Sequence, residues 1–136
     1  MKLLLDTNIL LDVLTEREPF YDISAIIWHK CACKEFSGCI SSLSFANMLY
    51  NMRKILKPES IENLAGQMLE IFDFADLNSA DIIEAAKMRW ENFEDALQSV
   101  AAERVKADYI ITRNVKDFDN SNVKALSPED FLNLKL

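Results

Sequence analysis

A chain of 136 residues, half of them hydrophobic, suits one domain over residues 1–136 with its own core, burying roughly 70% of the unfolded surface. A net charge of −7 and a pI near 4.7 argue against a broad basic face that grips nucleic acid. Two glycines and three prolines are poor material for a turn-rich β-sandwich. No run reaches the roughly 18 apolar residues of a membrane span, and the start does not read as a signal peptide, so no membrane and a cytoplasmic location are expected.

Residues 2–5, apolar at Leu3-Leu4-Leu5, read as a buried strand. Residues 8–14 predict a short helix, closed by Thr15-Glu16-Arg17-Glu18 and Pro19. Residues 22–34 predict a helix, with Ile23, Ile26, Ile27 and Cys31 at helical spacing. A short strand follows at 38–41. An amphipathic helix is expected over 44–56, its stripe formed by Phe45, Met48, Leu49, Met52, Ile55 and Leu56. Asn47, Tyr50, Asn51 and Lys54 then fall on the opposite side. A second helix spans 59–71 after Pro58, with Ile61, Leu64, Met68, Leu69 and Ile71 as its apolar positions. Residues 72–77 predict a strand, 79–90 a helix capped by Ser79, 94–106 a helix and 109–112 a strand. Residues 123–126 read as an edge strand. Ser127-Pro128-Glu129-Asp130 has the form of a helix start. The repeated strand–helix order predicts a parallel sheet covered on both faces.

Three acids stand where a strand hands over to a loop or helix. Asp6 follows Leu3-Leu4-Leu5, Asp95 opens the helix of 94–106, and Asp117 follows the strand of 109–112. Ligands of open α/β sheets bind outside the carboxyl ends of the strands. Carboxylates gathered there repel one another unless a cation sits among them, and hard oxygen ligands select Mg²⁺ or Mn²⁺. Such a centre works on phosphate esters. The plainer reading is that Asp95 complements its helix dipole and that Asp6 is satisfied by donors at the next helix start. Asn47, early in a helix that also leaves the carboxyl edge, either faces the cleft or is a solvated surface residue.

His29, Cys31, Cys33 and Cys39 invite a zinc reading. Successive members of the first three are two residues apart, so on a helix they point in nearly opposite directions. An odd cysteine count fits no disulfide framework. Ordinary reduced thiols, part buried and part exposed, are expected.

Leu5-Asp6-Thr7-Asn8-Ile9-Leu10-Leu11-Asp12, continued to Arg17-Glu18-Pro19-Phe20, resembles the opening of a PIN domain. Asp95-Ala96-Leu97, then Ala107-Asp108-Tyr109-Ile110-Ile111-Thr112-Arg113-Asn114 and Lys116-Asp117-Phe118, resembles its second half. Leu126-Ser127-Pro128-Glu129-Asp130-Phe131-Leu132 resembles its end. The resemblance implies a five-stranded parallel sheet, order 3-2-1-4-5, flanked by helices on both faces. It implies a Mg²⁺- or Mn²⁺-dependent endonuclease of single-stranded RNA, of the VapC-like kind found as toxins of toxin–antitoxin pairs. By position it makes Asp6, Asp95 and Asp117 the metal ligands and catalytic acids. Asn8 and Thr112 become supporting residues, and Glu94 stands beside Asp95. Asn47 takes the place of the family's usual glutamate, which removes one negative charge.

Arg53, Lys54, Lys57, Arg113 and Lys116 are the candidates for RNA phosphate contacts, each with solvated surface charge as its alternative. Expected partners are an antitoxin and a second copy of the chain. Two further readings compete: a weakly active PIN domain working through protein partners, and a phosphoacceptor receiver domain. The receiver needs paired acids after its first strand, where this chain has Thr7 and Asn8.

Overall fold

The computed structural model describes residues 1–134. Its elements alternate as expected. β1 (Lys2–Leu5) leads to α1 (Thr7–Leu14) and α2 (Tyr21–Ala32), and β2 (Ser37–Ser41) to α3 (Ser42–Asn51) and α4 (Pro58–Ile71). β3 (Asp73–Ala75) leads to α5 (Ser79–Met88) and α6 (Phe93–Arg104). β4 (Tyr109–Ile111) leads to a 3-10 turn (Val115–Phe118), and β5 (Ala125–Leu126) to α7 (Pro128–Leu132). The five strands form one parallel sheet in the order β3-β2-β1-β4-β5.

β1 lies at the centre and is buried on both sides. Its period-2 alternation divides the core: Leu3 and Leu5 pack on one face, Leu4 on the other. The first face takes Ile9 and Leu10 from α1, Ile27 from α2, Met48 from α3, Met68 from α4 and Phe131 from α7. The second takes Ala101 and Ala102 from α6, with Phe118 and Val123. α5 joins α6 through Ala85, Ala96 and Leu97. Helices therefore cover both faces.

Several boundaries differ from expectation. The helix predicted over 44–56 stops at Asn51, with Met52 as its C-cap, and leaves Ile55 70% exposed. Lys57 must be extended, at φ −93° and ψ 158°, to enter Pro58, the first residue of α4. A residue before proline is pushed out of helical geometry, so α3 and α4 cannot merge into one helix. Leu69, assigned to the apolar stripe of α4, is exposed, whereas Met68 is buried. α5 is capped by Asn78 rather than Ser79. Asn78 Oδ1 accepts the Asp81 amide at 3.0 Å, and Asp81 Oδ2 accepts the Asn78 amide at 3.1 Å. The helix ends at Met88, where Arg89 turns left-handed at φ 56°.

Gly38 lets β2 pass close to α2. A Cβ there would lie 2.8 Å from Cys31 Sγ and 2.8 Å from a Phe72 ring carbon. Gly38→Ala is expected to cost about 1–3 kcal/mol through overpacking, read as a lower denaturation midpoint. An unchanged midpoint would mean that the Phe72 ring moves aside freely.

Candidate active site

Asp6 leaves the central strand at the carboxyl edge, where the chain winds first toward β2 and later toward β4. That switch point is where open α/β sheets bind ligands. The Asp6 amide donates to the Ile111 carbonyl at 3.0 Å, so the residue is locked into the sheet. Its carboxylate caps α1 by accepting the Thr7 amide at 2.8 Å. It also accepts Thr112 Oγ1 at 2.8 Å, Gln98 Nε2 at 3.2 Å and Asn8 Nδ2 at 3.4 Å. Four donors explain how a carboxylate survives at 7% exposure.

Around it runs a buried hydroxyl network. Gln98 Nε2 donates to Ser44 Oγ at 2.5 Å, and Thr7 Oγ1 to the same oxygen at 3.0 Å. Ser41 Oγ donates to it at 3.2 Å and caps α3 by accepting the Ser44 amide at 3.0 Å. Thr112 is fully buried, and its hydroxyl also accepts the Asn114 amide at 3.0 Å. It thereby fixes the start of the loop that carries Asp117.

Asp95 sits in the first turn of α6, its amide held by the cap Asn92 at 3.1 Å. Gln98, one turn on, shares its face and touches Asp6. The Asp95 carboxyl is pushed up to about 6, first by burial and then by the negative charges of Asp6, Asp117 and Glu94. Asp117 lies in the 3-10 turn. It shares with Asp95 a cleft of about 730 Å³ whose walls include Arg89, Trp90, Lys116 and Asp119. The acids thus face one another without closing into a chelate. Among the described residues, no three Asp, Glu, His or Cys side chains group closely enough to hold a metal ion.

Asn47 faces Glu94, donating from Nδ2 to Oε1 at 2.6 Å. It is therefore tied to this acidic edge rather than freely solvated.

The donor chemistry suits a hard cation. The facing groups are carboxylates, and Asn8 Oδ1 and Gln98 Oε1 are buried oxygens without a hydrogen-bond partner among the described residues. Sulfur and imidazole lie elsewhere. Cys31 and Cys39 are buried free thiols, both pushed up to about 11 by burial, and Cys33 is an exposed one. The pair that meets on α2 is His29 with Cys33, at 3.4 Å.

Among the basic candidates, Lys116 lines the cleft. Arg53, Lys54 and Lys57 are exposed; Arg53 stacks over Tyr50 at 4.0 Å. Arg113 is engaged elsewhere: its guanidinium binds the fully buried Asp12 through two bonds of 2.8 and 3.0 Å and lies 3.9 Å over the Phe20 ring, and its side chain stays 24% exposed. Sequence reasoning missed Gln98, Ser44, Asp12 and Arg89. Gln98 left one signal: a polar residue on the face of α6 that also carries Ala101 and Ala102.

A doubly wound five-stranded sheet with an acidic cleft at its switch point defines the class of this molecule. The chain belongs to the PIN domain family, whose model matches residues 2–116. Solved structures agree on the fold. FitAB bound to a DNA fragment shares 16% identity at a TM-score of 0.72, with 98% of each chain covered. A toxin–antitoxin complex from Klebsiella pneumoniae shares 21% at 0.68, covering 92% of this chain and 96% of that one. Mycobacterium tuberculosis VapC20, a toxin that cleaves the sarcin–ricin loop, shares 10% at 0.65, covering 79% and 86%. No curated protein matches the chain significantly in sequence.

Proposed function

We propose that this PIN domain is a Mg²⁺- or Mn²⁺-dependent endoribonuclease of single-stranded RNA, working in the cytoplasm as the toxin of a toxin–antitoxin pair. The observation that carries this reading is the meeting of Asp6 and the Asp95 face at the switch point. Four donors hold Asp6 there, and Asp117 lines the same cleft as Asp95.

Asp6, Asp95 and Asp117 would hold the cation, which on binding supplies Lewis acidity toward a phosphodiester and a water acidified for attack. Gln98 and Thr112 keep the Asp6 carboxylate at one angle, so its oxygens need little reorganisation. Lys116, on the cleft wall, would contact a backbone phosphate, with the exposed Arg53, Lys54 and Lys57 as further contacts. The −7 net charge then confines RNA binding to this locality rather than to a whole face.

The test is cleavage of a labelled single-stranded RNA with Mn²⁺, with Mg²⁺ and after EDTA. Cleavage that persists in EDTA overturns the metal-dependent reading. A second reading, action mainly through protein partners, is favoured by Asn47 in place of the family's usual glutamate. The apolar residues Tyr50, Ile55 and Leu69, left exposed on and after α3 and on α4, favour it too. An antitoxin or a second copy would cover them. Co-purification of a small partner with the native protein, or a concentration-dependent dimer, is the expected result. A monomer at high concentration that co-purifies with no partner counts against it.

A further inference from the structure

We propose that Glu94, held in place by Asn47, is a fourth carboxylate of the cation site. This rests on the metal-dependent reading above and adds a residue to it. α3 and α6 come from opposite faces of the sheet and meet over its carboxyl edge through two rungs. The inner rung is Ser44 with Gln98, at 2.5 Å, and the outer is Asn47 with Glu94, at 2.6 Å. Ser44 and Asn47 are three apart on α3, and Glu94 and Gln98 four apart on α6, so each pair lies along one helical face. The two faces look at each other. The inner rung reaches Asp6 through Gln98, which is 1% exposed and keeps Oε1 unpartnered. Glu94 thus stands one turn outward on the same helical face.

A glutamate in a first helical turn interacts well with the dipole without any partner, and left free it keeps its rotamers. Here the carboxylate accepts a short charge-assisted bond from another helix. Asn51 Nδ2 donates at 2.8 Å to the backbone carbonyl of Asn47, which leaves the Asn47 side-chain amide to Glu94. An amide has no net charge to bring to a cation; a carboxylate does. Asn47 is therefore the positioning residue, and Glu94 carries the charge.

Calorimetric titration of Mn²⁺ into four proteins decides the matter: the parent, Glu94→Gln, Asn47→Ala and the transposed double variant Asn47→Glu/Glu94→Gln. Glu94→Gln keeps the shape and loses the charge, so affinity is expected to fall about 10-fold. Asn47→Ala leaves the charge and frees its rotamers, with a smaller fall. The transposed variant restores one carboxylate to the same rung with the hydrogen bond reversed, and affinity is expected to return to near that of the parent. A merely structural surface pair predicts a different pattern: thermal midpoints shift while Mn²⁺ affinity stays level across all four, which overturns the proposal. A parent that binds no Mn²⁺ removes the metal-site reading and this proposal together. A parent that binds, with Glu94→Gln binding equally well, removes this proposal alone.

Discussion

Asp95→Asn is expected to lower RNA cleavage by more than about 100-fold, beyond the usual cost of losing a residue that merely supports a metal ligand. It is also expected to leave the folded protein more stable at neutral pH. The carboxyl of Asp95 is pushed up from 3.8 to about 6 by burial and by the charges of Asp6, Asp117 and Glu94. An acid held above its unfolded value binds its proton more tightly in the native state. Stability is therefore highest when Asp95 is protonated and falls as pH rises from about 4 to about 6. Above pH 6 the charged side chain opposes folding. A rise from 3.8 to about 6 corresponds to roughly 3 kcal/mol at full strength, and solvent screening of this half-buried group reduces that to about 1 kcal/mol. Asparagine carries no such charge. Melting curves from pH 4 to 8 should show the variant flat where the parent declines. Cation affinity of the parent should rise over the same interval, because the ligand must be ionised. A variant that cuts RNA as well as the parent, or that keeps the parent's decline, places the acid outside the site. Asp6→Asn behaves differently. Its carboxylate accepts four bonds, so an amide there sets a donor against donors and costs about 1–3 kcal/mol.

Asp12→Ala is expected to produce the largest loss of stability in the molecule. Asp12 is fully buried, forked by Arg113 at 2.8 and 3.0 Å and bonded by Ser24 Oγ at 3.3 Å. Removing one partner of a buried pair strands the other and costs about 3–5 kcal/mol. Whole domains are stable by only about 5–15 kcal/mol. Arg113→Ala should cost as much, and the double variant less than the sum of the two, since no charge is then stranded. Arg113 follows Thr112 directly, so the pair also ties the loop after β4 to α1. Loss of cation affinity with Arg113→Ala at temperatures where it stays folded would show that the tie positions Asp117. Equal affinity would make it purely structural. A stability change below 1 kcal/mol in Asp12→Ala would contradict the burial of the pair.

The alternation of strands and helices was legible because it depends on local pattern, whereas the sheet order came from the resemblance to PIN domains. Leu3-Leu4-Leu5 announces a strand buried on two faces, and a carboxylate directly after it has few places to be. The fate of Arg113 was not legible. Nothing near it in sequence shows that a carboxylate 101 positions away lies fully buried against it. Gln98 was missed for the same reason: its partners are Asp6 and Ser44, from two other elements. Local chemistry also misled where two residues compete for one task. Ser79 and Asn78 both cap well, and Asn78 wins because Asp81 sits three residues on to complete the reciprocal pair. α3 ends at Asn51, short of an apolar stripe that runs on to Leu56, and Pro58 holds Lys57 extended between α3 and α4.

Asp6 receives bonds from residues 92 and 106 positions along the chain. Closing such long loops is slow relative to forming helices, and the β1–β4 pairing that brings these groups together is entirely non-local. During synthesis the first acid therefore emerges long before its companions. An N-terminal portion of the chain holds Asp6 but neither Gln98, Asp95 nor Thr112, and so no site. Under the proposed ribonuclease activity, an enzyme made on a ribosome would meet RNA it must not cut while still tethered; a site spread from Asp6 to Asp117 would be complete only once the last third of the chain is free, and topology would act as a timer on activity.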